Sequence, residues 1–135
     1  MIEHSSQLRV RYAETDQMKF VHHSNYIVWF EFGRTELLKA YGFSYAGLEK
    51  DGYLMPVLEV NARYLKPAKY DDLITIKTTI PFVPKARIGF EYQVFNEGNQ
   101  LLCEGSSLHS FMNNGERAIK PPKNFLIKMK NYFEG

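Results

Sequence analysis

The sequence predicts an α+β domain in which one long helix precedes a meander of antiparallel strands. Three observations carry this. Tyr26, Trp29, Phe30, Gly33, Leu37, Ala40 and Tyr41 recur at steps of three and four, the spacing of a single helical stripe. After Gly52 the apolar period changes to two, in four successive segments. A long apolar helix and a half-buried meander bury each other efficiently only if the sheet curls around the helix.

In chain order, residues 6–12 read as a short strand, with Leu8, Val10 and Tyr12 alternating with Gln7, Arg9 and Arg11. A polar loop, residues 13–22, leads to the long helix. Ser24 or Asn25 suits its N-cap, because the side-chain oxygen can accept from the free backbone donors of the first turn. Gly42 suits the left-handed position that closes a helix. About 17 residues then span roughly 25 Å. Ser44 caps a short second helix that ends near Asp51-Gly52.

In the meander, Leu58, Val60, Ala62 and Tyr64 oppose Glu59, Asn61 and Arg63, while Ile74, Ile76 and Ile80 oppose Thr75, Lys77 and Thr79. Ile88, Phe90, Tyr92 and Val94 oppose Arg87, Glu91 and Gln93, and the fourth segment, residues 100–112, is less regular. Such alternation describes strands with one buried and one wetter face. Pro67, Tyr70-Asp71-Asp72, Pro81 with Pro84, and Asn96-Glu97-Gly98-Asn99 mark the turns. Gly89 and Gly105 interrupt two strands, where bending or close backbone approach is needed. Asn113-Asn114-Gly115 reads as a hairpin turn before a short edge strand at 116–119. Phe125, Leu126, Met129 and Phe133 give a final amphipathic helix over 123–133.

At 135 residues and 44% hydrophobic content the chain suits one domain, residues 1–135, with a real core. A net charge of +2 gives no global argument for nucleic acid or a membrane surface. The single cysteine, Cys103, excludes an internal disulfide and fits a reducing compartment. With no amino-terminal signal pattern and no bilayer-length apolar run, a cytoplasmic protein is expected. His22 and His23 are adjacent, which rarely lets two side chains converge on one ion, so neither metal nor cofactor is expected. Glu31, Arg34 and Glu36 read as solvent-facing or interface ion pairs.

The stretch Tyr12-Ala13-Glu14-Thr15-Asp16, then Phe20-Val21-His22-His23-Ser24-Asn25-Tyr26, Trp29-Phe30-Glu31 and Gly33-Arg34-Thr35-Glu36, resembles the signature of the 4-hydroxybenzoyl-CoA thioesterase family. The resemblance is to its YbgC-like acyl-CoA thioesterase branch and continues through Tyr64-Leu65-Lys66-Pro67-Ala68 to about Asn113. It implies a hotdog fold, a curved antiparallel sheet wrapped around one long central helix, and hydrolysis of acyl-CoA to a free acid and CoA. One departure is Lys19, where relatives usually carry glycine.

The chemistry is consistent with so few groups. A thiol leaving group with a pKa of about 8.5 departs as thiolate with little help, so one carboxylate and one electrophilic site suffice. Asp16 supplies the carboxylate, as general base on water or as nucleophile. The helix start supplies unpaired N–H groups and the positive end of its dipole. The resemblance places the polarising amide at His23 and a site tyrosine at Tyr12. Phe20, Val21, Asn25 and Tyr26 are the candidate substrate contacts; the aromatic and aliphatic members equally suit a core. Lys66, Lys85 and Arg87 are the candidate contacts for CoA phosphates. The resemblance also implies a homodimer with the acyl pocket between subunits, assembled further as a dimer of dimers. An acyl carrier protein thioester is a second substrate form. Two other functions compete, a non-catalytic acyl-CoA or acyl-carrier-binding hotdog protein and a hotdog dehydratase or hydratase.

Overall fold

The computed structural model describes residues 1–134. Its elements are β1 (Ile2–Arg9), α1 (Ser24–Ala40), α2 (Tyr45–Lys50), β2 (Val57–Tyr64), β3 (Leu73–Ile80), β4 (Ile88–Phe95), β5 (Leu101–His109) and α3 (Lys123–Glu134). The five strands form one antiparallel sheet in the order β1-β3-β4-β5-β2, so β1 and β2 are its edges. The expected α+β hotdog architecture holds: α1 lies in the curve of the sheet, with Trp29, Phe30, Leu37 and Leu38 buried among Ile74, Ile76, Ile80, Phe90 and Tyr92.

Close approach of helix and sheet explains two glycines. A Cβ on Gly33 would collide with Thr78 Oγ1 and lie 2.8 Å from Ile76 Cγ2. On Gly105 it would collide with the Asn61 carbonyl and lie 2.7 Å from the Phe30 ring. That ring is stacked on Tyr92 at 4.3 Å between centroids, so it has nowhere to retreat.

Several expectations are corrected. The first strand begins and ends earlier than residues 6–12, because β1 pairs Ile2 through Arg9 with β3 and Tyr12 already belongs to a 3-10 turn. The cap of α1 is His23, with no side-chain capping bond, since Ser24 Oγ is held by His22 Nδ1 and the Asn25 amide turns back to the preceding loop. The buried stripe omits exposed Ala40 and half-buried Tyr41, and instead takes in Leu38 and Arg34.

Arg34 is therefore not a solvent-facing ion pair. At 9% exposure it donates to the Tyr45 and Tyr92 hydroxyls. Strand β2 alternates as expected, yet it is exposed on nearly its whole length, because α1 packs over the other edge strand, β1, and scarcely reaches β2. Residues 116–119 make only an isolated bridge, Met112 to Ala118. Ser44 caps α2 through the Gly47 N–H, and Gly42 has the left-handed φ of 88°.

Candidate active site

The polar loop before α1 folds as a small hairpin. Asp16 N–H donates to the Phe20 carbonyl, Thr15 bridges Val21, and His22 N–H donates to the Glu14 carbonyl. Its second limb is sewn to the body of the protein, because Val21 N–H donates to Ala68 O and Phe20 bridges Lys69. This doubling-back places Glu14 opposite His22, next to the start of α1, and Asp16 opposite Phe20, two residues nearer the hairpin tip. Lys19, at the hairpin tip, sits at φ 67°, a left-handed conformation that explains why glycine is usual there.

Asp16 is exposed, and only one of its oxygens is committed. Oδ1 accepts from Met18 N–H at 2.8 Å and Phe20 N–H at 3.2 Å. Oδ2 makes no hydrogen bond among the described residues and stays available. At the start of α1 the His23 N–H likewise has no acceptor among the described residues. A free donor at a helix N-terminus is suited to a developing oxyanion.

A cleft of about 250 Å³ opens beside this terminus, lined by Val21, His23, Tyr26, Tyr64, Leu65, Lys66 and Pro67. Tyr64 crosses from β2 to donate to the His23 carbonyl at 3.2 Å, and its ring meets Tyr26 edge-on at 5.2 Å. Burial pushes the Tyr26 phenol above its ordinary range, and its oxygen accepts from Ala68 N–H. It is a fixed wall. Cys103, behind the same strand, is pushed up to about 11 by burial, which leaves an inert thiol.

Of the candidate residues, Val21, His23, Tyr26 and Lys66 line the cleft, and Asp16 stands on the adjoining hairpin. Tyr12 is 67% exposed and packs edge-on against Tyr70, outside the cleft. Phe20 is half-buried in its bridge to Lys69. Asn25 spends its amide on the Glu14 and His22 carbonyls. Lys85 and Arg87 precede β4, whose first residue pairs with His109, while Lys66 follows β2 at the opposite end of the sheet. One chain does not bring these three cations together. Sequence reasoning missed Tyr64 as a cleft residue and Glu14 as the buried partner of Trp29; both depend on contacts between residues far apart in the chain.

The model of the thioesterase-like superfamily matches residues 10–128. This chain belongs to that superfamily. The chain is 41% identical over 103 residues to the putative acyl-CoA thioesterase YneP of Bacillus subtilis, covering 76% of this chain and 75% of that one. It is 32% identical over 101 residues to the acyl-CoA thioester hydrolase YbgC of Escherichia coli O157:H7, covering 75% of each chain. A solved structure described as a DHNA-CoA thioesterase from Staphylococcus aureus superposes with a TM-score of 0.91 at 32% identity, over 99% of this chain and 91% of that chain. The YbgC-like resemblance read from the residues is thus confirmed. The names of these relatives support acyl-CoA hydrolysis over the binding-protein and dehydratase readings.

Proposed function

We propose that the chain hydrolyses acyl-CoA thioesters in the cleft at the start of α1, with Asp16 as the carboxylate and the His23 N–H polarising the carbonyl. The observation that carries this reading is the free His23 donor opening beside a hairpin whose carboxylate keeps one oxygen unengaged. A thioester carbonyl seated against that donor gains stabilisation as its oxygen becomes an oxyanion, commonly about 3 kcal/mol for one such group. Asp16 Oδ2 then serves as base on water or attacks the carbonyl, and the thiolate leaves unassisted. Tyr26 and Val21 supply apolar wall, and Lys66 at the rim suits a phosphate of CoA.

The site is completed by a second copy of the chain. Val57, Leu58, Val60, Tyr64 and Leu65 are exposed apolar residues on or beside an edge strand, a surface that a homodimer covers by pairing β2 with β2. A dimer of such dimers is the larger assembly.

Thiol release measured over short and long aliphatic acyl-CoAs, benzoyl-CoA and phenylacetyl-CoA tests the activity. Turnover is expected for at least one of them and should fall at least 100-fold in Asp16→Asn. Asn keeps an oxygen for Met18 and Phe20 but replaces the free Oδ2 by an amide. Full activity in that variant would remove Asp16 from the mechanism.

A further inference from the structure

We infer that Glu14 is a positioning residue for hydrolysis, its buried carboxylate holding the hairpin that bears Asp16 at a fixed place against α1. The inference rests on the role given to Asp16 above. Glu14 is 6% exposed, unusual for a carboxylate, and both of its oxygens are engaged. Oε1 accepts from the Arg11 N–H at 2.8 Å, and Oε2 accepts from the Trp29 indole N–H at 2.9 Å. The Arg11 guanidinium stands 3.7 Å away but is 77% exposed, so the two N–H donors, rather than an ion pair, hold the group.

The backbone of the same residue is tied as well. Its carbonyl accepts from His22 N–H at 2.9 Å and from Asn25 Nδ2 at 3.0 Å. Donors from Asn25 and Trp29, on the first two turns of α1, therefore converge on one loop residue two positions before Asp16. Trp29 is itself immobile, being 1% exposed and packed on Tyr26 at 4.8 Å. The path from Glu14 through Trp29 to Tyr26 thus connects the hairpin to the cleft wall by buried, fully occupied contacts. A misplacement of about 1 Å between a catalytic group and its substrate can cost about 100-fold in rate, so a clamp of this kind acts on kcat without touching the substrate.

The substitution Glu14→Gln is nearly isosteric, but its amide must face one of two N–H donors. Trp29→Phe removes one donor and leaves the carboxylate in place. With the acyl-CoA that the wild-type protein hydrolyses fastest, each variant is expected to lose tenfold or more in kcat. KM should stay within about twofold, and the acid limb of the pH–rate profile should not move. The double variant should be no more than about twofold worse than the poorer single one, because with the indole donor gone the Gln amide turns its NH2 to that side and keeps its oxygen on the Arg11 N–H. Circular dichroism and the unfolding midpoint, with Glu14→Asp as a charge-preserving control of folding, confirm that the molecules assayed are folded. If Glu14→Gln is unfolded, the Trp29→Phe kcat alone decides. Wild-type kcat in folded Glu14→Gln or in Trp29→Phe, or losses that multiply in the double variant, overturns the inference. Absence of turnover in the wild-type protein, or full turnover in Asp16→Asn, overturns the underlying reading and this one with it.

Discussion

Individual residues decide two properties here, the conformation of the hairpin tip and the response to acid. Lys19 holds φ 67°, where a side chain costs roughly 1–2 kcal/mol relative to glycine. Glycine would add roughly 0.4–1 kcal/mol of unfolded-state freedom. The first term exceeds the second, so Lys19→Gly should raise stability by about 0.5–1 kcal/mol, measured by urea unfolding; a loss would mean that the lysine makes compensating contacts. His109 acts in the opposite sense. It is fully buried, with Ser107 Oγ at 2.8 Å, Phe90 edge-on at 5.4 Å and the Met55 backbone nearby, and the Arg34 cation reaches it through Tyr92 and Ser107. Burial first, and the Arg34 charge second, push it down to about 4 from 6.5. The folded state therefore refuses a proton that the unfolded chain accepts. Stability should be whole above pH 6.5, decline as pH falls toward 4, and lose about 3 kcal/mol in total. His109→Gln should flatten unfolding free energy across that window, and an unchanged slope would assign the acid response elsewhere. The loop position of Asp16 and the start of α1 beside His23 were legible in the sequence, because the motif spaces a carboxylate from a helical stripe. Glu14 and Arg34 were not, since each is buried by partners 11 to 58 residues away.

Among elements, legibility followed whether an element's environment is contained in its own pattern. Strands β3 and β4 alternate and are buried accordingly, because each has a strand on both sides and α1 above. Strand β2 alternates as well, yet lies exposed, because which edge of the sheet α1 covers is a property of topology and not of period. The fourth segment read as irregular for a physical reason. The register slips between Val94 and Phe95, so Leu102 and Cys103 are both buried in succession. Gly105 joins these elements, since only a missing side chain lets β2 and the Phe30 ring close over it together. Gly105→Ala should therefore destabilise by about 1–3 kcal/mol, visible as a lower unfolding midpoint. An unchanged midpoint would show that β2 can shift outward freely.

For the molecule as a whole, the consequence of the topology is that the candidate phosphate-binding cations, Lys66 on one side and Lys85 with Arg87 on the other, lie at opposite ends of one sheet. Lys66 is beside the cleft; Lys85 and Arg87 stand near the start of β2, about 25 Å away along an eight-residue strand at about 3.3 Å per residue. In the proposed homodimer, antiparallel pairing of β2 with its copy would reverse one chain against the other and set the partner's Lys85 and Arg87 beside this chain's cleft. Light scattering should accordingly give two or four times 15.8 kDa. Mixing tests the shared site directly. Asp16→Asn alone should be silent, and a Lys85→Ala, Arg87→Ala double variant should show a raised KM for acyl-CoA. In a mixed dimer, one site combines the intact Asp16 of the second variant with the intact cations of the first, whereas the other site carries every defect. Refolding the two variants together should therefore restore a population of sites with the wild-type KM, up to one site in four at equal amounts. A site contained within one chain allows no such recovery, because every intact Asp16 would then work beside its own missing cations.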